Sequence, residues 1–213
     1  VMENVARLYT HNKHLTRKEI IADFNKLGYT VECKILNSAD YGVPQVRKRV
    51  IFIGSRVTKN ILFPQISHTE YVTVKDALSK LPKLKSGEES KLLNHKAMNH
   101  TQQMLEKMSF VKDGEGREKI PQNLRPKSGD VRKYIKYNSA KPSITITGDM
   151  RKVFHPFQNS ALTVRELARL QTFPDDFEFK STSIAQQQQV GNAVPPLMAE
   201  AIAKAIIKMI DAQ

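Results

Sequence analysis

Gln45, Arg47 and Arg49 occupy alternate positions of one short segment and lead into an apolar run over 50–54. The apolar run predicts a strand, and side chains alternate faces along a strand, so these three polar side chains are expected to share one face. An arginine stays charged and presents a planar fork of N–H donors. Such a cluster suits a carbonyl oxygen, a carboxylate or a phosphate. The competing interpretation is a basic edge strand exposed to solvent.

The charge of the chain points to a polyanionic partner. Its 213 residues include 34 Lys and Arg against 21 Asp and Glu, a formal net charge of +13. Such a balance favours nucleic acid over a membrane surface. No apolar run reaches the length of a membrane span and no signal peptide is recognisable, so we expect a soluble, intracellular protein.

The cysteine content excludes two kinds of site. Cys33 is the single cysteine, so disulfides and cysteine-based metal sites are ruled out. It alternates with apolar residues and is expected to pack in a core. His68 and His155 lack the spacing of metal ligands, and no metal site is expected.

The first segment, residues 1–61, predicts one helix followed by two strands. Thr16 and Glu19 have the spacing of a capping box, which places the helix start at Thr16. Gly28 suits the left-handed residue that ends a helix. The strands are expected over 29–36 and 49–55, paired as a hairpin.

The middle segment, residues 62–155, is poor in regular periodicity and rich in Pro, Gly, Asn and Lys. A short helix is expected to begin at Thr73, capped through Asp76. A longer helix is predicted over 98–110, and a turn over 113–116.

Most of the positive charge lies in this middle segment. Residues 80–152 carry 17 Lys and Arg against 8 Asp and Glu. Basic residues interleaved with aromatic ones suit contact with a sugar–phosphate backbone and bases. The alternative is a solvated insertion with an incidental charge excess. The interleaved residues are Arg132, Lys133, Tyr134, Lys136 and Tyr137.

The last segment, residues 156–213, predicts two helices. Thr163 and Glu166 form a second capping box, and that helix must end before Pro174. Arg165 and Glu166 are expected to serve in capping and surface pairing. Residues 191–192 predict a turn. A helix is then expected from the proline pair 195–196 to about residue 211, largely buried because it has a single charged stripe.

Four stretches together resemble the C-terminal half of bacterial DNA (cytosine-5) methyltransferases. They are residues 3–5, 45–49, 162–175 and 189–196, of which the third reads LTVRELARLQTFPD and the fourth QVGNAVPP. The resemblance covers nearly the whole chain and is weakest across 85–130. It implies an α/β fold, the C-terminal part of a Rossmann-like S-adenosylmethionine-dependent methyltransferase domain with a small, irregular target-recognition domain inserted.

The same resemblance implies a division of the chain into three parts. Residues 1–61 would supply the last strands and a helix of the catalytic domain, and residues 62–155 the target-recognition domain. Residues 156–213 would return to the catalytic domain with a cofactor-pocket motif and the terminal helix.

The resemblance also assigns catalytic roles. Attack of a cysteine thiolate on carbon 6 of cytosine activates carbon 5 for methylation, and a protonated ring nitrogen 3 and a stabilised 2-oxo oxygen assist that attack. Glu3 matches the carboxyl group at the cytosine edge and Arg49 the arginine at the 2-oxo oxygen. Arg47 would support the base pocket, with Asn4 and Gln45 as structural partners.

Further residues match cofactor and DNA positions of the family. Phe173, Asn192, Ala193 and Val194 match residues that line the S-adenosylmethionine pocket. Thr145 matches a threonine that contacts DNA near a flipped base, with Thr147 as a competing choice. With Arg132, Lys133 and Lys136, it makes up the expected DNA-binding set.

Two motifs of the family are absent from the chain: the Pro-Cys pair of the nucleophile and the glycine-rich cofactor motif. Both belong upstream of Glu3 in the family. We therefore expect a cropped fragment or a natural split subunit, inactive and poorly soluble alone, that needs a front half and acts on double-stranded DNA in a bacterial cytoplasm near the nucleoid. A non-catalytic DNA-binding module is the alternative. The tRNA-methylating branch is disfavoured, because its recognition region carries a cysteine.

Overall fold

Three strands from the first 55 residues form an antiparallel sheet in the order β1-β3-β2. The computed structural model describes residues 1–127, 129–130 and 132–212. The strands are β1 Met2–Val5, β2 Thr30–Asn37, β3 Lys48–Ser55, β4 Ile135–Lys136 and β5 Val153–Phe154, and the helices are α1 Leu15–Lys26, α2 Val74–Leu78, α3 Gln102–Ser109, α4 Val164–Leu170, α5 Ser183–Asn192 and α6 Pro196–Asp211.

The register of the sheet fixes which side chains share a face. Arg49 lies opposite Val5 on one side and Leu36 on the other, and Ile51 lies opposite Glu3. Since directly opposed residues share a face, Glu3 and Arg49 project to the same side. The predicted hairpin of β2 and β3 is confirmed.

Both faces of the sheet are covered by helices. On the side of Ile51 and Ile53, the buried side chains of α6 pack to form one core. Helix α1 packs against β2. Burial raises the pKa of the Cys33 thiol on β2, and the charge of Arg17 on α1 opposes this rise. A sheet between helices on both sides is an α/β arrangement.

A second core lies away from the sheet. It joins α2, residues of the middle segment such as Tyr137 and Ile146, and the apolar faces of α4 and α5. Helices α4 and α5 therefore pack with the middle segment, whereas α6 packs with the sheet. The predicted boundary near residue 155 does not coincide with the separation of the two cores.

Two of the three predicted helix caps are present. Thr73 with Asp76 and Thr163 with Glu166 form reciprocal capping boxes. The box predicted at Thr16 is wrong: α1 starts at Leu15, after a left-handed residue, and the Thr16 hydroxyl shares a 2.7 Å hydrogen bond with His11 Nδ1. A local side-chain alternative has displaced the cap.

The sequence interpretation contains no helix at the position of α5, where it predicts only a turn at 191–192. Gly191 and Asn192 form the last turn of that helix and not a separate turn. Gly28, in contrast, ends α1 at φ 84° as expected. In α6, Met198, Ile202 and Met209 are buried, while Leu197, Ile207 and Ile210 are exposed. One apolar side of α6 therefore has no cover from the described residues. None of the helices in the described part of the chain has the length and apolarity to cross a membrane.

Candidate active site

Glu3 and Arg49 form an ion pair at one end of the sheet. Arg49 Nε lies 2.8 Å from Glu3 Oε1, and the two side chains are only 15% and 27% exposed. The Arg49 guanidinium is held further because Nη1 donates to the Lys48 carbonyl at 2.9 Å. The neighbouring Asn4 is exposed, and its side-chain oxygen accepts from the Val5 amide at 2.8 Å. The pair therefore has a fixed position and direction.

Arg47 is buried and lies just before β3. It therefore does not share a strand face with Arg49, contrary to what the alternation of Gln45, Arg47 and Arg49 predicts. Strand β3 begins at Lys48, and Arg47 turns inward, where Nη1 donates to the Ile146 carbonyl at 3.1 Å and Nη2 to the Gly191 carbonyl at 2.9 Å. Burial, and then the charge of Arg49, lower the pKa of Arg47 to about 10, with Glu3 opposing. The guanidinium stays protonated at neutral pH and joins three separate segments.

Gln45 binds the backbone of the same residue, Ile146, through its amide. Its side-chain oxygen accepts from the Ile146 amide at 2.9 Å, and its amide group donates to Gln171 Oε1 at 2.9 Å. Gln171 in turn donates to the Val190 carbonyl at 2.7 Å. All of these side chains are buried, so they form a connected polar network with fixed geometry. Our sequence interpretation missed Gln171; the signal was a polar residue between the apolar Leu170 and Phe173.

The expected DNA-contacting segment docks on this network. Thr145 Oγ1 donates to the Val46 carbonyl at 3.0 Å, and the Ser143 amide donates to the Pro44 carbonyl at 2.9 Å. Residues 143–147 therefore lie along residues 44–47, the segment that leads into β3 and Arg49. The competing Thr147 lies beside Gly191, and a Cβ built on Gly191 would stand 2.6 Å from the Thr147 carbonyl carbon.

Gly191→Ala is predicted to destabilise the chain. A helical glycine replaced by alanine normally gains about 0.5–1 kcal/mol. Here the added methyl group meets the peptide group between Thr147 and Gly148, so we expect a loss of about 1–3 kcal/mol. Chemical denaturation followed by circular dichroism measures the difference. A gain in stability would show that the contact between α5 and residue 147 is not tight.

The residues expected at the cofactor lie at two places. Asn192 is exposed at the end of α5, Ala193 is its C-cap residue in extended conformation, and Val194 packs against the core under α6. Phe173 instead belongs to an aromatic cluster, with ring centroids 5.0 Å from both Phe177 and Phe179. An exposed amide beside extended backbone offers donors and acceptors that fit the polar part of S-adenosylmethionine.

The predicted basic and aromatic stretch is only partly exposed. Lys136 is buried, with Nζ donating to Asn159 Oδ1 at 3.1 Å and its pKa lowered by burial. Tyr137 is buried in the second core. As placed, neither offers a surface to DNA, because both residues are buried. Arg132 is 61% exposed and pairs with Asp130, and Lys133 pairs with Asp149.

The expectation that Arg165 and Glu166 serve at the surface is wrong, since both are buried. Arg165 donates to the carbonyls of Leu93 at 2.8 Å, Pro174 at 2.8 Å and Phe177 at 2.6 Å. Burial raises the pKa of Glu166 to about 7, and its carboxylate accepts from the Thr163 amide at 2.7 Å. Arg165 thus connects α4 to two loops.

Cys33 lies on the side of the sheet away from the ion pair. It is opposite Phe52, whereas Glu3 is opposite Ile51, and adjacent strand residues point to opposite faces. The residue is half-buried rather than in a core, and burial raises the pKa of its thiol. It cannot reach a base held at Glu3 and Arg49.

Residues 1–208 match the family model of the C-5 cytosine-specific DNA methylases, and the chain belongs to that family. It is 66% identical over 209 residues to the Type II methyltransferase M1.HphI of Haemophilus parahaemolyticus, a match that covers 98% of this chain and 56% of that protein. It is 33% identical to the Type II methyltransferase M.DdeI of Desulfomicrobium norvegicum, over 97% of this chain and 62% of that protein. The chain thus spans somewhat more than half the length of these relatives.

Solved structures share the fold. An Escherichia coli prophage protein described as a DNA modification methyltransferase superposes with a TM-score of 0.74 at 22% identity, over 98% of this chain and 68% of that one. A methyltransferase of Entamoeba histolytica gives a TM-score of 0.61 at 15% identity, over 98% and 62%. The expected fold class, the C-terminal part of an S-adenosylmethionine-dependent methyltransferase fold, is confirmed.

Proposed function

We propose that the chain is the C-terminal part of a DNA (cytosine-5) methyltransferase of a restriction-modification system. The complete enzyme transfers a methyl group from S-adenosylmethionine to carbon 5 of a flipped cytosine in double-stranded DNA. The observation that carries this proposal is the Glu3–Arg49 pair, held at one end of the sheet, with the segment 143–147 docked on the residues that lead into β3.

Each member of the pair has a task at the base. A cysteine thiolate adds to carbon 6, and electron density moves toward nitrogen 3 and the 2-oxo oxygen. The Glu3 carboxylate accepts a hydrogen bond from protonated nitrogen 3, the atom that takes up this electron density. The Arg49 guanidinium donates to the 2-oxo oxygen from a position fixed in advance, so little reorganisation is needed during the reaction.

The cofactor would be held in part by this chain. S-Adenosylmethionine supplies the methyl group, and the residues of this chain that would line its pocket are Phe173, Asn192, Ala193 and Val194. Gly191, immediately before Asn192, is tied to Arg47 by a hydrogen bond. Asn192 therefore has a fixed position relative to Arg47 and the start of β3.

The nucleophile must come from another segment, because Cys33 faces the wrong side of the sheet. Two features leave room for that segment. Strand β1 lies at the edge of the described sheet, and α6 exposes Leu197, Ile207 and Ile210. We propose that a front segment, on the same or another polypeptide, pairs with this edge, covers α6, and brings the Pro-Cys and glycine-rich motifs.

The proposal predicts that purified chain alone transfers no labelled methyl group to duplex DNA. Adding the portion of the 66% identical relative that this chain does not cover should restore transfer. A front segment with its Pro-Cys cysteine replaced by serine is the control, and it should restore nothing. Transfer by the chain alone would refute the need for a partner segment, and DNA binding without restored transfer would favour a non-catalytic DNA-binding module.

A further inference from the structure

Strands β4 and β5 bring two charged segments together beside Thr145 and Thr147, the two candidate DNA-contacting residues. Ile135 pairs with Val153, and the Tyr134 amide donates to the Lys152 carbonyl at 2.6 Å. As a result, residues 130, 132 and 133 lie next to 149–152. A small concavity there is lined by Arg132, Lys133 and Asp149, together with both candidate DNA-contacting residues, Thr145 and Thr147.

The two arginines at this surface are held by carboxylates. Arg132 Nε lies 3.0 Å from both oxygens of Asp130, and its Nη2 lies 2.7 Å from Oδ2. Arg151 Nε donates to Asp149 Oδ1 at 2.9 Å, while the other oxygen of Asp149 accepts from Lys133 Nζ at 2.5 Å. Each carboxylate accepts a hydrogen bond from Nε of its arginine and so fixes the direction of the guanidinium group.

Several N–H groups of the two guanidinium groups have no acceptor among the described residues. Within residues 1–127, 129–130 and 132–212, Nη1 of Arg132 and both Nη atoms of Arg151 have no hydrogen-bond acceptor. The two side chains are 61% and 47% exposed. They therefore present oriented N–H donors to solvent, which is the arrangement that bidentate recognition of an acceptor pair requires.

A base edge suits this surface better than a phosphate does. Asp130 and Asp149 each have a pKa lowered chiefly by hydrogen bonds from their basic partners, so both are ionised at neutral pH. Two carboxylates repel a phosphate backbone, and they offset two of the four cations of these segments, which leaves a net charge of +2. A phosphate-tracking surface gains affinity from unpaired cations. Here the anions orient the donors instead.

We propose that Arg132 and Arg151 read guanine bases in the major groove of the target duplex, with Asp130 and Asp149 as positioning residues. Guanine presents O6 and N7 as an acceptor pair there, and arginine is its commonest bidentate partner. The inference rests on the proposed function and names the part of the substrate that Arg132 and Arg151 recognise.

The test uses the restored enzyme, the chain with its front segment, acting on a duplex pool that is randomised around a central cytosine. Sequencing of the methylated products gives the base preference at each position. Arg151→Ala and Arg132→Ala should each reduce the preference for guanine at one position by about 5- to 150-fold, without changing the other positions. Asp149→Asn should relax the preference assigned to Arg151, because it weakens the hold on Nε.

Lys26→Ala is the matched control. Lys26 also pairs with a carboxylate, Asp23 at 2.9 Å, but it lies on α1, apart from the cavities that Arg132 and Arg151 line. It should leave every preference unchanged. The variants carry exposed substitutions, and thermal melts monitored by circular dichroism confirm that they fold.

Three outcomes overturn the inference. Methylation whose base preferences are unaffected by either arginine variant would exclude base reading. A uniform loss of affinity for all sequences, with a salt dependence lower by about one charge, would identify phosphate contacts instead. Absence of any methylation by the restored enzyme would reject the proposed function itself, and the guanine assignment with it.

Discussion

Arg49→Ala in the restored enzyme is expected to lower single-turnover methyl transfer by about 10²- to 10³-fold, the cost of removing one oriented donor from a developing oxyanion. The geometric reason is that Arg49 is held by Glu3 at 2.8 Å and by the Lys48 carbonyl at 2.9 Å. The other member of the pair, Glu3, is assigned to nitrogen 3 and does not replace this donor at the 2-oxo oxygen. Transfer of labelled methyl groups to a saturating duplex measures the rate.

Duplex binding separates this catalytic role from a loss of affinity. Fluorescence anisotropy with the same duplex should show affinity for the variant within about threefold of the parent, since phosphate contacts elsewhere supply most of the binding free energy. Arg56→Ala is the control, because Arg56 lies over the Tyr29 ring at 4.8 Å, beyond the reactive end of the sheet. An equal loss of rate in both variants, or a loss of binding that accounts for the rate, would contradict the role of Arg49.

Arg165→Met is expected to lower the free energy of unfolding by about 3–5 kcal/mol, near the upper end for a single substitution. Arg165 is fully buried and donates to three carbonyl groups, those of Leu93, Pro174 and Phe177. Methionine keeps much of the volume but leaves these acceptors without a partner. The loss should appear as a lower midpoint of urea denaturation.

The measurement needs circular dichroism, because the chain has no tryptophan. Lys180→Met is the matched control. Lys180 is likewise a basic residue with a hydrogen-bonding partner, the carboxylate of Glu178, but its side chain is 78% exposed. The change should therefore cost less than about 1 kcal/mol. Similar midpoints for the two variants would show that the Arg165 contacts contribute little to stability.

Local sequence signals predicted the caps that local structure can satisfy. Thr73 with Asp76 and Thr163 with Glu166 lie within one turn of each other, so their hydrogen bonds need only the helix itself. Thr16 has the same spacing to Glu19, yet its hydroxyl is engaged by His11. The difference depends on the preceding loop, whose conformation a short motif does not specify.

The amino-acid sequence by itself determined several of the elements and the family. Alternation of apolar residues specified the β2–β3 hairpin, and the motif order specified the class of fold. These features depend on residue types along one segment or on their order in the chain, and both can be read without knowing any long-range contact.

Only the tertiary structure decided which arginines face a ligand and which hold the chain together. Arg47, Arg49 and Arg165 carry the same charge, yet Arg49 pairs with Glu3 while the other two are buried against carbonyl groups from distant segments. The partners of Arg47 lie 99 and 144 residues away in sequence. Such contacts follow from the strand register and the packing of α4 and α5, which bring the carbonyl groups to the guanidinium groups.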